Sequence, residues 1–575
     1  MTQIAAQAPM TRTGSIFSSP LLWLGAMCAA LLGVLMLKAT LPVGPFYWDL
    51  FIYFDAANRI FSGQIPSVDF FAPVGPLGYW LFAGFVKLFP QGQPLLIAQW
   101  SLLLVSAPMM ALVLADVDRR SRSTAFALLV PFLVFSILPF NVEEYYFYPG
   151  VDGYGIYNRQ VCQLLYVLTA GLVFARGQKT LLVVMAGTML ALFLTKITGI
   201  VAGVGLCAFA FLAGRIALRT AVAAALGFFA VLVLLQLALG LTGAYLGDIL
   251  QLVLMNESSL LPRFLQAASI HFIAFGPLAV LTGVLFFLDI GQTAADAKAL
   301  ARRSAFTAIA GVLDRDLFWL GILVLAGLFI ETQNTGGQAF IFVWPVLLAI
   351  FLGRSRWQGG RLVLVLTLVA ASSLPTLLGV THRAARAFVG QLQYVALPTT
   401  QLGTLGAVSQ RQELIDRAAT MIGIYRQFPQ TWRYFAENET LPSFMLYSEP
   451  DFQLTWMLAA DEAVGAVQAY EAAHGVHFAT LMNLNFVNPF PWLLDRAAPR
   501  RVAIGADPFR AVPDPDADVL DAVAGTDLLL APLCPTTNAN LRLLKLYQPA
   551  LAGHHRVSLS PCWDGYVRDG LQPKS

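Results

Sequence analysis

The chain carries little charge for its length. Only 12% of its 575 residues are Asp, Glu, Lys or Arg, whereas 57% are hydrophobic, and the mean hydropathy is +0.67. A soluble protein of this length needs a larger charged surface, so the composition excludes that class. The net charge of +3 is small and dispersed, which excludes binding to nucleic acid through a basic surface. We therefore predict a polytopic α-helical membrane protein.

Cysteine is scarce as well, with five in the chain. None shows the Cys/His spacing of a zinc site. Cys28, Cys162 and Cys207 lie in or beside apolar runs, where we expect buried, inert thiols. Cys534 and Cys562 lie near the C-terminus, and the sequence leaves open whether an oxidising compartment joins them in a disulfide.

Long apolar runs recur through the first two thirds of the chain. A helix needs ~20 residues to cross a hydrocarbon core of roughly 30 Å. We predict about 11 spans, near residues 20–41, 94–115, 123–140, 160–175, 180–194, 197–213, 220–241, 266–288, 317–331, 339–352 and 361–379. The run 77–89 is too short to span, at about 13 residues, so we expect it to be interfacial or re-entrant.

Basic and acidic residues lie in different loops. Lys and Arg favour the cytoplasmic side of a membrane, and they cluster in the loops at 119–122, 176–179, 215–219, 298–315 and 354–361. The alternate loops are acidic. We therefore predict a cytoplasmic N-terminal tail (1–19) without a cleavage signal, then a transmembrane domain (20–382) with outer loops 42–93 and 141–159. The N-terminus would be cytoplasmic, in a bacterial inner membrane.

The composition changes from about residue 383, where polar residues and prolines become frequent and long apolar runs end. The remaining residues, 383–575, have the size of one domain. Short apolar runs between turn formers predict strands at 501–504 and 527–532, and helical patterns cover 461–474 and 538–546. We predict a periplasmic α/β domain.

Three carboxylates follow the first span directly. Asp49 is a candidate general base for an acceptor hydroxyl, and the alternative is an N-cap for the helix that follows it. Asp55 is expected to pair with Arg59 at i, i+4 spacing. Asp69 is a candidate acceptor or metal contact, or else it caps a turn.

The second outer loop combines aromatic rings with polar side chains. An aromatic belt at the membrane interface explains the tyrosines alone, but not the polar residues among them. Rings beside hydrogen-bonding groups also suit sugars, which makes candidates of Glu143, Glu144, Asp152 and Asn158. Arg159 is a candidate phosphate clamp, since its planar fork matches phosphate oxygens.

Lys196 stands within a long apolar stretch, where a lysine at mid-membrane depth costs on the order of 3 kcal/mol. We expect it at an outer turn between two short helices, contacting a phosphate; the alternative is a snorkelling lysine. His382 and Arg383 stand where the spans end, and Arg383 is a candidate contact for an anionic head group.

A later loop also has more polar residues than a simple hairpin between two spans requires. Glu331, Gln333 and Asn334 flank a pair of glycines there, and we predict that they face the same outer site. His271, within an apolar run, is expected to be a buried, satisfied histidine.

Several motifs resemble those of the GT-C glycosyltransferases, in the branch with protein O-mannosyltransferases and lipid A aminoarabinose transferases. The matching residues are Asp49, Tyr53, Ala56, Gly63, Asp69-Phe70, Gly75-Pro76-Leu77, Thr195-Lys196 and Phe342 to Pro345. The resemblance covers roughly residues 20–350 and leaves the tail outside it.

This resemblance implies transfer of a sugar from a polyprenyl-phosphate donor, at the periplasmic face and by an inverting mechanism. Asp49 would be the catalytic base, and Lys196 and Arg159 would bind the donor phosphate. The acceptor would be an envelope glycan, lipid or protein. A divalent cation held by Asp49 and Asp69 stays open, and no other cofactor is expected.

The main rival function is a multi-span transporter with Lys196 and Glu331 in a translocation path. Transporters are often built from two similar halves, and the sequence shows no such symmetry. A mere anchor for an outer binding domain would need far fewer spans. We therefore favour the glycosyltransferase.

Overall fold

The computed structural model describes residues 19–142, 149–256, 260–300, 305–332, 338–441 and 450–571. These residues are mostly helical. The first helices are α1 (Pro20–Leu35), α2 (Asp49–Phe61), α3 (Leu77–Leu88), α4 (Pro94–Trp100), α5 (Leu103–Asp118), α6 (Arg122–Ile137), α7 (Ile156–Phe174), α8 (Gln178–Thr195) and α9 (Ile197–Leu212). They are followed by α10 (Leu218–Leu239), α11 (Leu241–Met255), α12 (Leu260–Ile270), α13 (Phe272–Leu300), α14 (Ala305–Leu313), α15 (Asp316–Glu331), α16 (Trp344–Leu352) and α17 (Gly359–Gln391).

Helix α7 forms the centre of the helical region and is buried along almost its whole length. It packs against α5, α6, α8, α9 and α16. Its polar side chains, which include Asn158, Arg159 and Gln160, are also buried. Buried polar groups require partners, so the first turns of α7 are where a polar site is expected.

Apolar side chains cover the periphery of the helical region. Leu237 on α10 is 80% exposed and Phe287 on α13 is 75% exposed, and other large apolar residues of α10, α13 and α17 are exposed too. A soluble surface does not tolerate apolar area on this scale, whereas lipid does. The protein is therefore a multi-pass membrane protein.

Each predicted span coincides with a helix, although the lengths differ. Five helical stretches of the described chain are long and apolar enough to cross a membrane, namely Pro94–Asp118, Gln178–Thr195, Leu218–Leu239, Phe272–Gly291 and Gly359–Gln391. The other predicted spans coincide with shorter helices or, for α7 and α15, with helices that carry polar ends. The predicted span 266–288 is broken at His271, between α12 and α13. The number of spans therefore stays a prediction.

The predicted basic loops meet at one end of the helical region. Arg215, between α9 and α10, pairs with Asp314 before α15 at 2.7 Å. Arg120 donates to the backbone carbonyl of Phe174 at the end of α7. The beginning of α7 lies at the opposite end, where the N–H of Gly155 donates to Asp49 of the first outer loop.

The C-terminal part combines helices with strands. Its helices are α18 (Gln412–Gln427), α19 (Pro429–Glu437), α20 (Pro450–His474), α21 (Phe490–Leu494), α22 (Ala517–Ala524) and α23 (Asn538–Tyr547). The strands in the described part of the chain are β1 (Leu41–Pro42), β2 (Val395–Ala396), β3 (Val408–Gln410), β4 (Leu481–Asn483), β5 (Leu528–Pro532), β6 (His554–Ser560) and β7 (Trp563–Arg568).

Two small sheets order these strands. One has the order β4-β5-β7-β6, with β4 parallel to β5 and the other neighbours antiparallel. The other has the order β1-β3-β2, and since β1 precedes α2 it ties the tail to the first outer loop. The predicted tail helices and the strand at 527–532 are confirmed, and Cys534 is joined to Cys562 by a disulfide.

The predicted strand at 501–504 is wrong. Arg501 lies in the left-handed region at φ +65°, and the segment is irregular. The N–H groups of Arg501 and Ile504 donate to the carbonyls of Asp69 and Phe71 instead of to a neighbouring strand of a sheet. A short apolar run alone does not distinguish a strand from a segment that binds another loop.

Candidate functional site

Glycines let the two outer loops cross in close contact. A Cβ at Gly44 would lie 2.4 Å from the carbonyl oxygen of Val151, and one at Gly150 would lie 2.4 Å from that of Val43. Any larger residue would push the backbones apart. This crossing brings the start of α2 against the start of α7.

Asp49 lies at that crossing, as the first residue of α2, and is partly exposed. The backbone N–H of Gly155 donates to its Oδ2 at 3.3 Å. Burial raises the pKa of Asp49 to about 7, against the lowering effects of this hydrogen bond, Arg510 and Arg159. A carboxyl group with this pKa can take a proton near neutral pH. The N-cap alternative is wrong, because Trp48 is the N-cap and no side chain caps the helix.

Two buried polar atoms, one on α2 and one on α7, lie near Gly78. The hydroxyl of Tyr53 and the Oε1 of Gln160 have no hydrogen-bond partner within the described ranges. Both lie near Gly78, at 3.5 and 3.1 Å from where its Cβ would be. Tyr79 packs its ring on Tyr53, with centroids 5.2 Å apart. Unpaired buried polar atoms are costly, so these two are ready to bind a polar ligand.

Lys196 lies between α8 and α9, which confirms the predicted turn between two helices. Its ammonium donates to the Oδ1 of Asn158 at 2.7 Å and lies 5.3 Å from the centre of the Tyr157 ring. The N–H of Gly75 bonds to the carbonyl of Thr195 at 3.0 Å. Asp49 and Lys196 therefore both contact the first turn of α7 or the residue before it.

Glu331 and His271 form a buried pair. Their Oε2 and Nε2 atoms lie 3.1 Å apart, and their side chains are 2% and 0% exposed. Glu331 also acts electrostatically on Lys196. The structure thus places Glu331 near the first turns of α7, and His271 is a buried histidine with a partner, as predicted.

Arg159, Asp152 and Arg383 form one buried network. Arg159 donates to Gln99 and Asn141, each at 2.9 Å, and to the carbonyls of Tyr154 and Asp152. Arg383 pairs with the Asp152 carboxylate and donates to the Asn141 carbonyl. Most N–H donors of the Arg159 guanidinium are therefore already bonded to acceptors within the protein. The network fixes the loop that leads to Gly155.

Asp69 lies in a turn, as its alternative interpretation predicted. It accepts the N–H of Ile65 at 2.8 Å, and its other oxygen pairs with Arg500 at 2.9 Å. The predicted pair of Asp55 and Arg59 is confirmed at 2.8 Å. Over the described ranges no group of three or more His, Cys, Asp or Glu side chains is placed to hold a metal ion, and the divalent cation at Asp49 and Asp69 stays a prediction.

Four predicted site residues lie outside the described residues: Glu143, Glu144, Gln333 and Asn334.

Sequence reasoning missed Arg510, which comes from the tail. It acts electrostatically on both Asp49 and Lys196, and its side chain is 55% exposed. Its spacing from Asp507 predicts only a surface ion pair. No local pattern points to the distant outer loops, so the sequence offered no signal.

No protein-family model and no curated protein matches the chain. Among solved structures, the chain is similar to ArnT from Cupriavidus metallidurans bound to undecaprenyl phosphate, with 13% identity, a TM-score of 0.40 and coverage of 96% of this chain and 99% of that one. It is also similar to the oligosaccharyltransferase AglB from Archaeoglobus fulgidus, solved with an inhibitory peptide and a dolichol-phosphate. Here the identity is 12%, the TM-score 0.30, and the coverage 96% of this chain and 74% of that one.

This structural likeness, at 12–13% identity, does not assign the chain to a family. At TM-scores below 0.5 it assigns no role to any residue.

Proposed function

We propose that this protein is a GT-C-type glycosyltransferase that moves a sugar from a polyprenyl-phosphate donor to an envelope glycan, lipid or protein. About 11 helices cross the bacterial inner membrane, and the C-terminal α/β domain, residues 383–575, lies on the periplasmic face. The observation that carries this proposal is the position of Asp49. Its partly exposed carboxyl group has a pKa of about 7 and lies beside the same first turn of α7 that binds Lys196.

Asp49 is the general base in this proposal. It takes the proton of the acceptor hydroxyl while the acceptor oxygen forms a bond to the anomeric carbon of the sugar. The bond between that carbon and the phosphate oxygen breaks, and polyprenyl phosphate leaves with the electron pair. Attack opposite the leaving group inverts the anomeric centre. A positioned base of this kind contributes about 10²- to 10⁴-fold in rate.

Lys196 binds the phosphate that leaves. Its ammonium has three donors, and one of them bonds to Asn158; within the described ranges no other acceptor is bonded to it, which leaves donors for phosphate oxygens. Arg159 and Arg383 were predicted as further phosphate contacts. Because their guanidinium groups bind Asp152 and its neighbours, we assign them the positioning of the loop that carries Gly155.

The hydroxyl groups of the sugar or the acceptor bind around Tyr53 and Gln160. The two buried polar atoms of these residues then gain partners, as buried polar groups require. The remaining acceptor candidates are Asp69, Asp152, Asn158 and Glu331, with Glu143, Glu144, Gln333 and Asn334 from the stretches outside the described residues.

The test compares strains that carry either the wild-type gene or Asp49→Asn in a deletion background. The matched control is Asp118→Asn, which removes a partly buried carboxylate, paired with Arg122 at 3.2 Å, at the opposite end of the helical region. Mass spectrometry of lipid A, O-chain and secreted glycoproteins should show one modification lost with Asp49→Asn and retained with Asp118→Asn, at equal protein levels. Unchanged glycans together with altered solute uptake would refute the proposal and favour the transporter.

A further inference from the structure

A pocket lies at the end of α2 that is remote from Asp49. It has a volume of about 590 Å³, and both the first outer loop and the tail line it. The side chain of Asn58, on α2, donates to the Arg496 carbonyl of the tail at 3.0 Å, which holds the two sides of the pocket together. The lining residues that matter below are Asn58, Phe61, His477, Trp492, Asp495 and Arg496.

Two aromatic rings lie side by side in the lining of this pocket. The ring of Trp492 packs on those of Phe54 and Phe61, with centroids 5.0 and 6.0 Å apart. Trp492 is partly exposed, and Phe61 is 48% exposed. Within the described ranges no acceptor bonds the indole N–H of Trp492, although such an N–H usually has a partner when it is buried. The rings therefore offer apolar area together with an unused donor.

A carboxylate stands next to these rings. Asp495 directly follows α21 and lies in the left-handed region at φ +54°. Glycine or asparagine is the usual residue at such a helix end. The aspartate adds an exposed carboxylate, which forms no ion pair or hydrogen bond within the described part of the chain. The fold thus uses the backbone conformation of Asp495 but not its charge.

Asn58 supplies a second acceptor to the pocket. Its side chain is buried, with the residue 8% exposed, and its Oδ1 has no hydrogen-bond partner among the described residues. Because Nδ2 donates to a carbonyl, exchanging the oxygen and nitrogen of the amide would set two acceptors against each other. An unpaired buried acceptor destabilises a fold, so the donor of a ligand would relieve this cost.

The basic side chains of the pocket already have partners. Arg496 lies 3.4 Å from one oxygen of Glu471 and donates to the Leu494 carbonyl at 2.6 Å. The Nδ1 of His477 lies 3.5 Å from the other oxygen of Glu471. Among the described lining residues, the charged group without a partner is the Asp495 carboxylate, which repels phosphate and other anions. Aromatic rings beside an unused donor and two unused acceptors suit an uncharged sugar residue.

The pocket is too far from Asp49 for one sugar residue to occupy both places. Asn58 and Phe61 follow Asp49 by nine and twelve positions on α2, which corresponds to about 14 to 18 Å along the helix axis. At 3.6 residues per turn, Asn58 also lies on the opposite side of the helix from Asp49. A chain of several sugars is long enough to reach both places.

We propose that this pocket binds an uncharged sugar residue of the acceptor, away from the point of transfer, and that the acceptor is therefore a glycan chain. This inference rests on the proposed function, because it takes the acceptor of that reaction as the ligand. It narrows the acceptor from a glycan, lipid or protein to a glycan of several sugars.

The test uses the purified full chain, immobilised in detergent, and the pooled glycans that mild acid releases from the envelope of the deletion strain. Mass spectrometry identifies the glycans that are retained. The wild type should retain one of them, and Asp495→Gly should weaken its binding by about 10-fold or more, since charge-assisted hydrogen bonds are lost. Glycine keeps the left-handed conformation without strain.

The matched control is Glu439→Gly. It removes another exposed carboxylate from a left-handed position at φ +54° behind a helix of the tail, and it should bind the glycan as the wild type does. An equal loss with Glu439→Gly would indicate a general effect on the tail and overturn the assignment. Retention of no glycan by the wild type, or equal retention by Asp495→Gly, would overturn it as well.

Two further measurements identify the kind of ligand. Trp492→Phe keeps a ring against Phe54 but removes the indole N–H, and it should weaken binding by about 2- to 10-fold; unchanged binding would contradict a contact with this donor. Binding should also change little between low and high salt, because the bound sugar is uncharged. A steep loss with salt would identify a charged ligand, such as a basic peptide, and overturn the assignment.

These outcomes are distinct from a failure of the proposed function, because retention of a glycan is measured without any sugar transfer. A protein that retains a glycan through Asp495 but modifies none refutes the transferase and keeps the sugar site. A protein that modifies a glycan but binds it equally well with Asp495→Gly refutes this pocket and keeps the transferase.

Discussion

Replacing Arg383 by Met tests whether this arginine holds the second outer loop or binds a ligand. The change leaves Asp152 buried, with the Asn141 N–H as a partner at 2.6 Å but without its ion pair. The protein escapes an unpaired buried charge by protonating Asp152. At pH 7 this protonation lowers the free energy of unfolding by up to about 4 kcal/mol, because pH 7 lies about 3 units above the ordinary Asp pKa near 3.9 and each unit corresponds to about 1.36 kcal/mol. At pH 5 the same limit is about 1.5 kcal/mol.

The measurement is the free energy of unfolding in detergent micelles at both pH values. We expect a loss of about 3 kcal/mol at pH 7, below the limit because Arg159 acts on Asp152 as well, and a smaller loss at pH 5. The loss grows with pH because burial without a partner raises the pKa of Asp152 further. The double variant Arg383→Met with Asp152→Asn should recover most of the stability.

Arg354→Met is the control for this experiment, since Arg354 is exposed at the other end of the helical region and its loss should change stability by less than about 0.5 kcal/mol. Arg383→Met could instead leave the stability unchanged and weaken phosphate binding. That result would refute the claim that Arg383 holds the second outer loop, and it would support the phosphate contact predicted from the sequence.

Three other changes test the geometry of the site. Gly75→Ala places a Cβ 2.2 Å from the Leu194 carbonyl oxygen. The change should lower the free energy of unfolding by about 1–3 kcal/mol and weaken the binding of undecaprenyl phosphate. Normal binding would contradict the close approach of the two backbones. The rate of sugar transfer should rise about tenfold per pH unit up to about pH 7 and then level off, because Asp49 must be deprotonated to act as base and its pKa is about 7; a rate that is flat from pH 5 to 8 would contradict this. Replacing Cys534 and Cys562 by Ala should destabilise the tail by about 3.6 kcal/mol, from the loop of 28 residues that the disulfide closes, and equal rates of tail proteolysis would refute it.

Local pattern was enough to predict some parts of this protein. The apolar runs predicted the positions of the helices, because the length of an apolar run is a local property. The cost of an isolated charge in lipid predicted the turn at Lys196, and i, i+4 spacing predicted the pair of Asp55 and Arg59.

Other parts depend on contacts between distant segments. The crossing of the outer loops at Gly44 and Gly150 has no signal beyond the glycines themselves. Arg159 and Arg383 are buried cations with acidic partners, and the sequence does not say whether such a cation binds the protein or a ligand. Arg501 and Ile504 donate to the first outer loop, at the carbonyls of Asp69 and Phe71, although the sequence around them resembles a strand.

Turnover of a lipid-linked sugar by the purified protein tests the central claim most directly. The wild-type protein, Asp49→Asn and Asp118→Asn are incubated with a membrane lipid extract from the deletion strain, and mass spectrometry follows polyprenyl-phosphate sugars. The account predicts that the wild type and Asp118→Asn convert one such lipid to polyprenyl phosphate, and that Asp49→Asn does so about 10²- to 10⁴-fold more slowly. Equal conversion by all three proteins, or by none of them, would contradict it.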